Sequence, residues 1–187
     1  MILYHFVGEA GFKALQQRGR LDGYARRADR YHLPAYAWMA NQMLGRIGPP
    51  PGNSKYPVWA WHTWYGTKAC PDLRFSAHLP PGTMGYRLTL DVPDDRVVLS
   101  DFNRWHYCLN GWYLPRSAAD DKRAEALAEK LGPSEWQALK EKSWQQIFDL
   151  SPPSSTTKYL GPVDSVQATL WRIDLDMLVR AQAFTAK

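Results

Sequence analysis

The stretch Tyr56-Pro57-Val58-Trp59-Ala60-Trp61-His62-Thr63-Trp64-Tyr65 decides how the rest of the chain is read. Five of these ten residues are Trp or Tyr. β-Branched and aromatic residues followed by Gly66 predict a strand. Strict alternation puts Trp59, Trp61, Thr63 and Tyr65 on one face, and Val58, Ala60, His62 and Trp64 on the other. Both faces are apolar or amphipathic, so the strand is expected inside a sheet covered on both sides. Buried indoles need partners for their N–H groups, which places something polar nearby. The stretch is then either a Trp-rich core strand or the floor of a pocket whose indoles stack on a flat ligand.

Working outward, Gly48-Pro49-Pro50-Pro51-Gly52 is a stiff connection that ends a helix opened by Pro34 and carrying Trp38, Met39, Met43, Leu44 and Ile47. Residues 22–33 read as an Arg/Tyr-rich loop. Residues 2–7 are an apolar first strand, followed by a short helix with Phe12, Ala14 and Leu15 inward and Gly19 as its stop. Downstream, Tyr86, Leu88, Leu90 and Val92 alternate as a half-buried strand, and Val97-Val98-Leu99 is a short apolar run. Ser100 or Asp101 can cap a helix carrying Phe102, Trp105, Cys108 and Leu109. Residues 117–131 predict an amphipathic helix, and Ser134-Glu135-Trp136-Gln137 is a capping-box pattern for the next. A loop at 151–157 precedes strands at Val166–Ile173 and Leu178–Phe184. The order predicts one α+β domain over residues 1–187, with a central mixed or antiparallel sheet and peripheral helices.

The chain has 187 residues, nine Trp, ten Tyr and a formal net charge of +5, a mild basic excess that suits a phosphate-bearing partner. Its local basic cluster is Arg26, Arg27 and Arg30. Cys70 and Cys108 lack metal-type spacing and are expected as reduced thiols. No histidine pair has the spacing of a zinc helix, and nucleophile-elbow, phosphate-loop and dinucleotide-fold fingerprints are missing. Without a leader-like N-terminus or a long apolar run, the protein is expected to be soluble, cytoplasmic and free of membrane contact.

Several side chains could carry chemistry. His5, mid-strand before a glycine turn, can offer one donor and one acceptor to a ribose. Asp101 is either a helix cap or a base, and Arg74 either a surface ion pair or a phosphate clamp. Gln167 and Thr169 share one face of a late strand and, if central, need polar partners.

Five segments together resemble an uncharacterised bacterial domain-of-unknown-function family. They are Tyr56–Trp61, Pro71-Asp72-Leu73-Arg74, Val98–Phe102 with Trp105-His106 and Leu109-Asn110, Ser143-Trp144 with Ile147-Phe148-Asp149, and Gln167–Trp171. A second resemblance is to ADP-ribosyltransferases, whose entry strand, helix and Gly-x-Leu exit are similar to Leu3-Tyr4-His5-Phe6 and Gly19-Arg20-Leu21. That resemblance implies an ADP-ribosyltransferase-like fold that binds NAD or a related nucleotide and transfers ADP-ribose or cleaves NAD in a bacterial conflict system. It implies that His5 holds the ribose and nicotinamide end and that Tyr56 or an aromatic of the Trp strand, Trp59 or Trp61, stacks on nicotinamide; Tyr4 beside His5, and Arg74 in its phosphate-clamp reading, complete the candidate binding set. The third-motif slot falls at Gln167 to Thr169, where a neutral residue stands in place of the superfamily's catalytic Glu; Asp101 could supply the carboxylate in space. A neutral slot keeps nucleotide binding and separates it from transfer. The other reading is a non-catalytic module binding nucleic acid or protein through the Arg cluster and exposed aromatics.

Overall fold

A computed structural model describes residues 1–23, 29–75, 78–151 and 161–187. In chain order the elements are β1 (Ile2–Gly8), α1 (Glu9–Arg18), β2 (Arg20–Asp22), α2 (Leu33–Ile47), β3 (Val58–Thr63), β4 (Met84–Asp91), β5 (Val98–Asp101), α3 (Phe102–Leu109), α4 (Ala118–Ala128), α5 (Pro133–Trp144), β6 (Val166–Leu170), β7 (Arg172–Asp174) and β8 (Leu178–Thr185). The architecture is α+β: a six-stranded sheet in the order β5-β6-β3-β1-β4-β8, antiparallel at every pairing, with helices around it. Among the described residues no helix is long and apolar enough to cross a membrane.

The Trp-rich stretch forms β3, an interior strand between β6 and β1. It is shorter than the sequence pattern suggested. Pro57 has no N–H for the ladder, and a tight turn at 64–67 closes the other end, with Trp64 and Thr67 exchanging both backbone bonds. Two further expectations are revised. The run from Val166 to Ile173 is two strands: β6 pairs with β3 and β5, and beyond Trp171 β7 leaves to pair with β2 in a separate two-stranded sheet. α5 starts at Pro133 and not after Ser134; the Glu135 carboxylate accepts from Gly132 N–H at 3.0 Å, and Pro133 fits the first turn, where an N–H has no helical partner.

The pleat gives the large sheet two unlike faces. On one, Leu3, Val7, Val58, Ala60, Leu88 and Leu90 pack with Phe12 and Leu15 of α1 and with the β2–β7 pair. On the other, α2, α3 and α5 cover only the β5-β6-β3 side, burying Trp38, Met39, Met43, Trp105, Cys108 and Trp144. Four tryptophans are core, Trp38, Trp105, Trp144 and Trp171, and all four lie outside the Trp-rich stretch, whose Trp59, Trp61 and Trp64 are only half-buried. Two of them have partners, Trp144 Nε1 donating to Trp112 O at 2.6 Å and Trp171 Nε1 to Gly48 O at 3.0 Å. Cys70 is exposed and Cys108 buried, both as free thiols, and burial pushes the Cys108 thiol well above its ordinary value.

Leu88 is fully buried in the centre of β4, whereas Val179 on the edge strand is 63% exposed. Leu88→Ala should lower the unfolding free energy by about 2–5 kcal/mol, and Val179→Ala should change it by less than about 0.5 kcal/mol. Urea denaturation measures both, and equal effects would contradict the placement of the core.

Candidate functional site: an aromatic cavity on the open half of the sheet

The face that α2, α3 and α5 leave uncovered begins at β3 and β1. Tyr4 on β1 stands directly opposite Trp61 on β3, and Trp61 opposite Gln167 on β6, so the three side chains share a face. Phe6 and Trp59 lie two residues along their strands on the same face. Between Trp61 and Thr63 the register slips: Trp61 pairs with Gln167, but Thr63 pairs with Val166. His62 is the extra residue of a β-bulge. Beyond it the pleat is inverted, so Trp64 lands on the side of Trp61, with ring centroids 4.4 Å apart and planes at 86°. Simple alternation had put these two indoles on opposite faces.

The turn after Trp64 uses Tyr65 at φ 45° and Gly66 at φ 75°. Left-handed conformation at both central positions matches a tight hairpin turn of the primed type. Tyr65 is the single described non-glycine residue with positive φ. It is held there by its N–H donating to Ser165 Oγ at 3.2 Å and by Gly66 N–H donating to Asp164 O at 2.5 Å.

These elements enclose a cavity of about 520 Å³, within the range of small-molecule sites. Tyr4, Phe6, Trp59, Trp61 and Gln167 line it from the sheet. Trp64, Tyr65, Phe75, His78 and Phe102 close its sides. The Phe6 and His78 rings stack at 3.6 Å and 9°, and Phe102 meets Trp61 at 4.8 Å and 64°. His78 Nε2 donates to Asp72 O at 2.8 Å, and burial pushes the imidazole below its ordinary value, leaving it neutral at pH 7. His5 donates from Nδ1 to Trp59 O at 2.7 Å, a bond that ties β1 to β3 where the two strands share one registered pair. The Trp59 indole N–H is buried without a hydrogen-bond partner. Asn103 Nδ2 donates to Asp164 Oδ1 at 3.2 Å on the α3 side.

Of the residues singled out from sequence, the structure brings Tyr4, His5, Trp59, Trp61 and Gln167 together around this cavity. The other four lie elsewhere. Tyr56 bridges to Gly23 and lines a separate cleft with Arg20, Asp22 and Lys55. Arg74 is exposed and pairs with Asp72 at 2.6 Å, which holds that carboxyl down at about 2. Asp101 caps α3, accepting from Asn103 and Arg104 N–H, and forms a buried ion pair with the Arg104 guanidinium at 3.2 Å. Burial raises its carboxyl above the ordinary value, against the lowering effect of the Arg104 and Asn103 N–H groups and the Arg104 charge. Thr169 is fully buried and donates to Val98 O at 3.2 Å. Arg26, Arg27 and most of the 151–157 loop lie outside the described residues. Trp64, which alternation put on the other face, and Phe102 of the capped helix also line the site, and His78 and Asp164 join it without having been singled out; the bulge that recruits Trp64 has no mark in the residue types around it.

The chain belongs to the family described as a domain of unknown function, DUF3841, whose model matches residues 9–179. No curated protein and no solved structure matches the chain.

A left-handed non-glycine residue costs about 1–2 kcal/mol, and Asn tolerates the conformation better than Tyr. Tyr65→Asn should therefore hold or raise stability by up to about 1 kcal/mol, less the lost contact of the Tyr65 ring with Trp64 at 5.1 Å. Urea midpoints test this, and a loss of more than about 1 kcal/mol would show that the Tyr ring, not the turn, decides the site's stability.

Proposed function

We propose that this protein is an ADP-ribosyltransferase-like domain that binds NAD, or a related nucleotide, by placing its flat heterocycle in the aromatic cavity. The observation that supports this most is the meeting of Tyr4, His5, Trp59, Trp61 and Gln167, from three neighbouring strands, around one cavity of about 520 Å³. Indole faces stack on any planar ring, and such stacking contributes about 1–3 kcal/mol per base. Gln167 adds two donors and an acceptor that suit a carboxamide or a base edge. Tyr4 supplies a hydroxyl on the β1 side, and His5 Nδ1 is committed to Trp59 O. The phosphates extend beyond the cavity, because the described lining has no Lys or Arg.

In this reading Trp61 and Gln167 contact ligand. Asp101 and Thr169 act at a distance, the first by fixing the start of α3, which carries Phe102 and Asn103 into the wall. Chemistry beyond binding, ADP-ribose transfer to a protein or nucleic-acid acceptor or cleavage of NAD, needs the acceptor or water to reach the ribose from the open side.

Thermal unfolding with and without millimolar NAD tests the reading. A ligand at a hundredfold its Kd stabilises by about 2.7 kcal/mol, so the midpoint should rise. The rise should vanish in Gln167→Ala and Trp61→Ala and persist in Arg74→Ala, which alters only the exposed Asp72 pair. No rise, or one that survives Trp61→Ala, would overturn the assignment of the site.

A further inference from the structure

We infer that the cavity selects a positively charged ligand head, an N-alkylated heteroaromatic cation, over its neutral counterpart; this rests on the cavity being the ligand site. The argument is one of charge and ring geometry. Among the described residues lining the cavity the one formally charged side chain is Asp164, half-buried on the α3 side, and no Lys or Arg is among them. His78 is held neutral by burial, so it does not counter that carboxylate at pH 7.

The contacts that Trp61 makes with Trp64 and Phe102, and Trp64 with Phe75, are edge to face. Trp64 meets Trp61 at 86° and Phe75 at 81°, and Phe102 meets Trp61 at 64°. Tyr4, Phe6, Trp59, Trp61, Trp64 and Phe102 are all aromatic residues lining this one cavity. The negative face of each ring attracts a cation within about 6 Å, most strongly for Trp and when water is excluded. A neutral ring of the same shape gains the stacking but not this attraction.

Among the described residues Arg87, Lys68 and Arg104 are cations near this wall that do not line the cavity, and Arg104 is paired with Asp101. Arg87 stands opposite Phe6 on the cavity face of the sheet, and its charge acts on Tyr4 and His78. Its Nη1 donates to Pro71 O and its Nη2 to Gln182 Oε1, both at 2.6 Å, and it does not line the cavity. Lys68 is exposed and acts on His62, which also does not line it. Charge is therefore graded across the cavity face, positive at Arg87 on the β4 side and negative at Asp164, and the cationic atom of the ligand belongs on the Asp164 side.

The decisive pair of probes is the N1-methylnicotinamide cation and neutral nicotinamide, titrated into the full chain while Trp fluorescence is followed. The cation should bind about tenfold more tightly. In Asp164→Asn, which keeps a side chain able to bond Asn103, the ratio should fall severalfold. Equal binding of the two probes by the native chain, or an unchanged ratio in Asp164→Asn, would overturn charge selection and leave the pocket reading standing. Binding of neither probe at millimolar concentration would overturn both.

Discussion

Between Trp61 and Thr63 the ladder joining β3 to β6 gains one residue, His62, and the pleat turns over beyond it. Side chains alternate with a period of two, so a single inserted residue exchanges the faces of everything that follows. Without it Trp64 would point into the α1 side, already filled by Leu3, Val7 and Ala60. With it Trp64 stands over Trp61, and the turn that follows carries Tyr65 to the rim. The strained Tyr65 backbone and the two bonds that tie the turn to Ser165 and Asp164 keep the inverted segment in place.

The sheet provides the rest. Its α1 face is sealed by aliphatic packing, and its other face is only partly covered by α2, α3 and α5. The boundary of that cover runs through Trp59, whose indole leans on Trp105 at 4.8 Å on the core side and lines the cavity on the other. α3 is central to the boundary, since the buried Asp101–Arg104 pair fixes its first turn and Arg104 Nη1 reaches Asp149 O at 3.0 Å. A charge pair this deep is costly to break, because either partner left alone is a buried, uncompensated ion. The polar groups that look most chemical in the sequence, Asp101 and Thr169, are bonded within the frame, while amides, rings and the Asp164 carboxylate line the cavity.

Much of this was legible before any coordinates. The composition of residues 56–65 marked an interior strand, Gly19 and Gly48 marked helix ends, and Asp101 at the head of Phe102–Leu109 marked a cap. Tyr4, His5, Trp61 and Gln167 could be placed on strands, but their convergence depends on strand order, which the sequence does not encode locally. Arg74 and Tyr56 do not join them, since each is held by another partner: Asp72 two residues away, and Gly23 across an isolated bridge. The departure of β7 after Trp171 and the bulge at His62 are tertiary effects. In each case pairing with a distant strand overrides an alternation that continues unbroken in the residue types.

The account stands on the aromatic cavity being where a nucleotide meets this protein. The nine indole N–H resonances report on it directly when NAD is titrated into labelled protein and followed by two-dimensional NMR. The account predicts that Trp59, Trp61 and Trp64 shift together along one binding curve, while Trp38, Trp136, Trp144 and Trp171, which do not line the cavity, stay in place. Shifts centred instead on Trp112 and Trp136, which flank a separate cleft beside α4, would contradict it, as would a spectrum that NAD leaves unchanged.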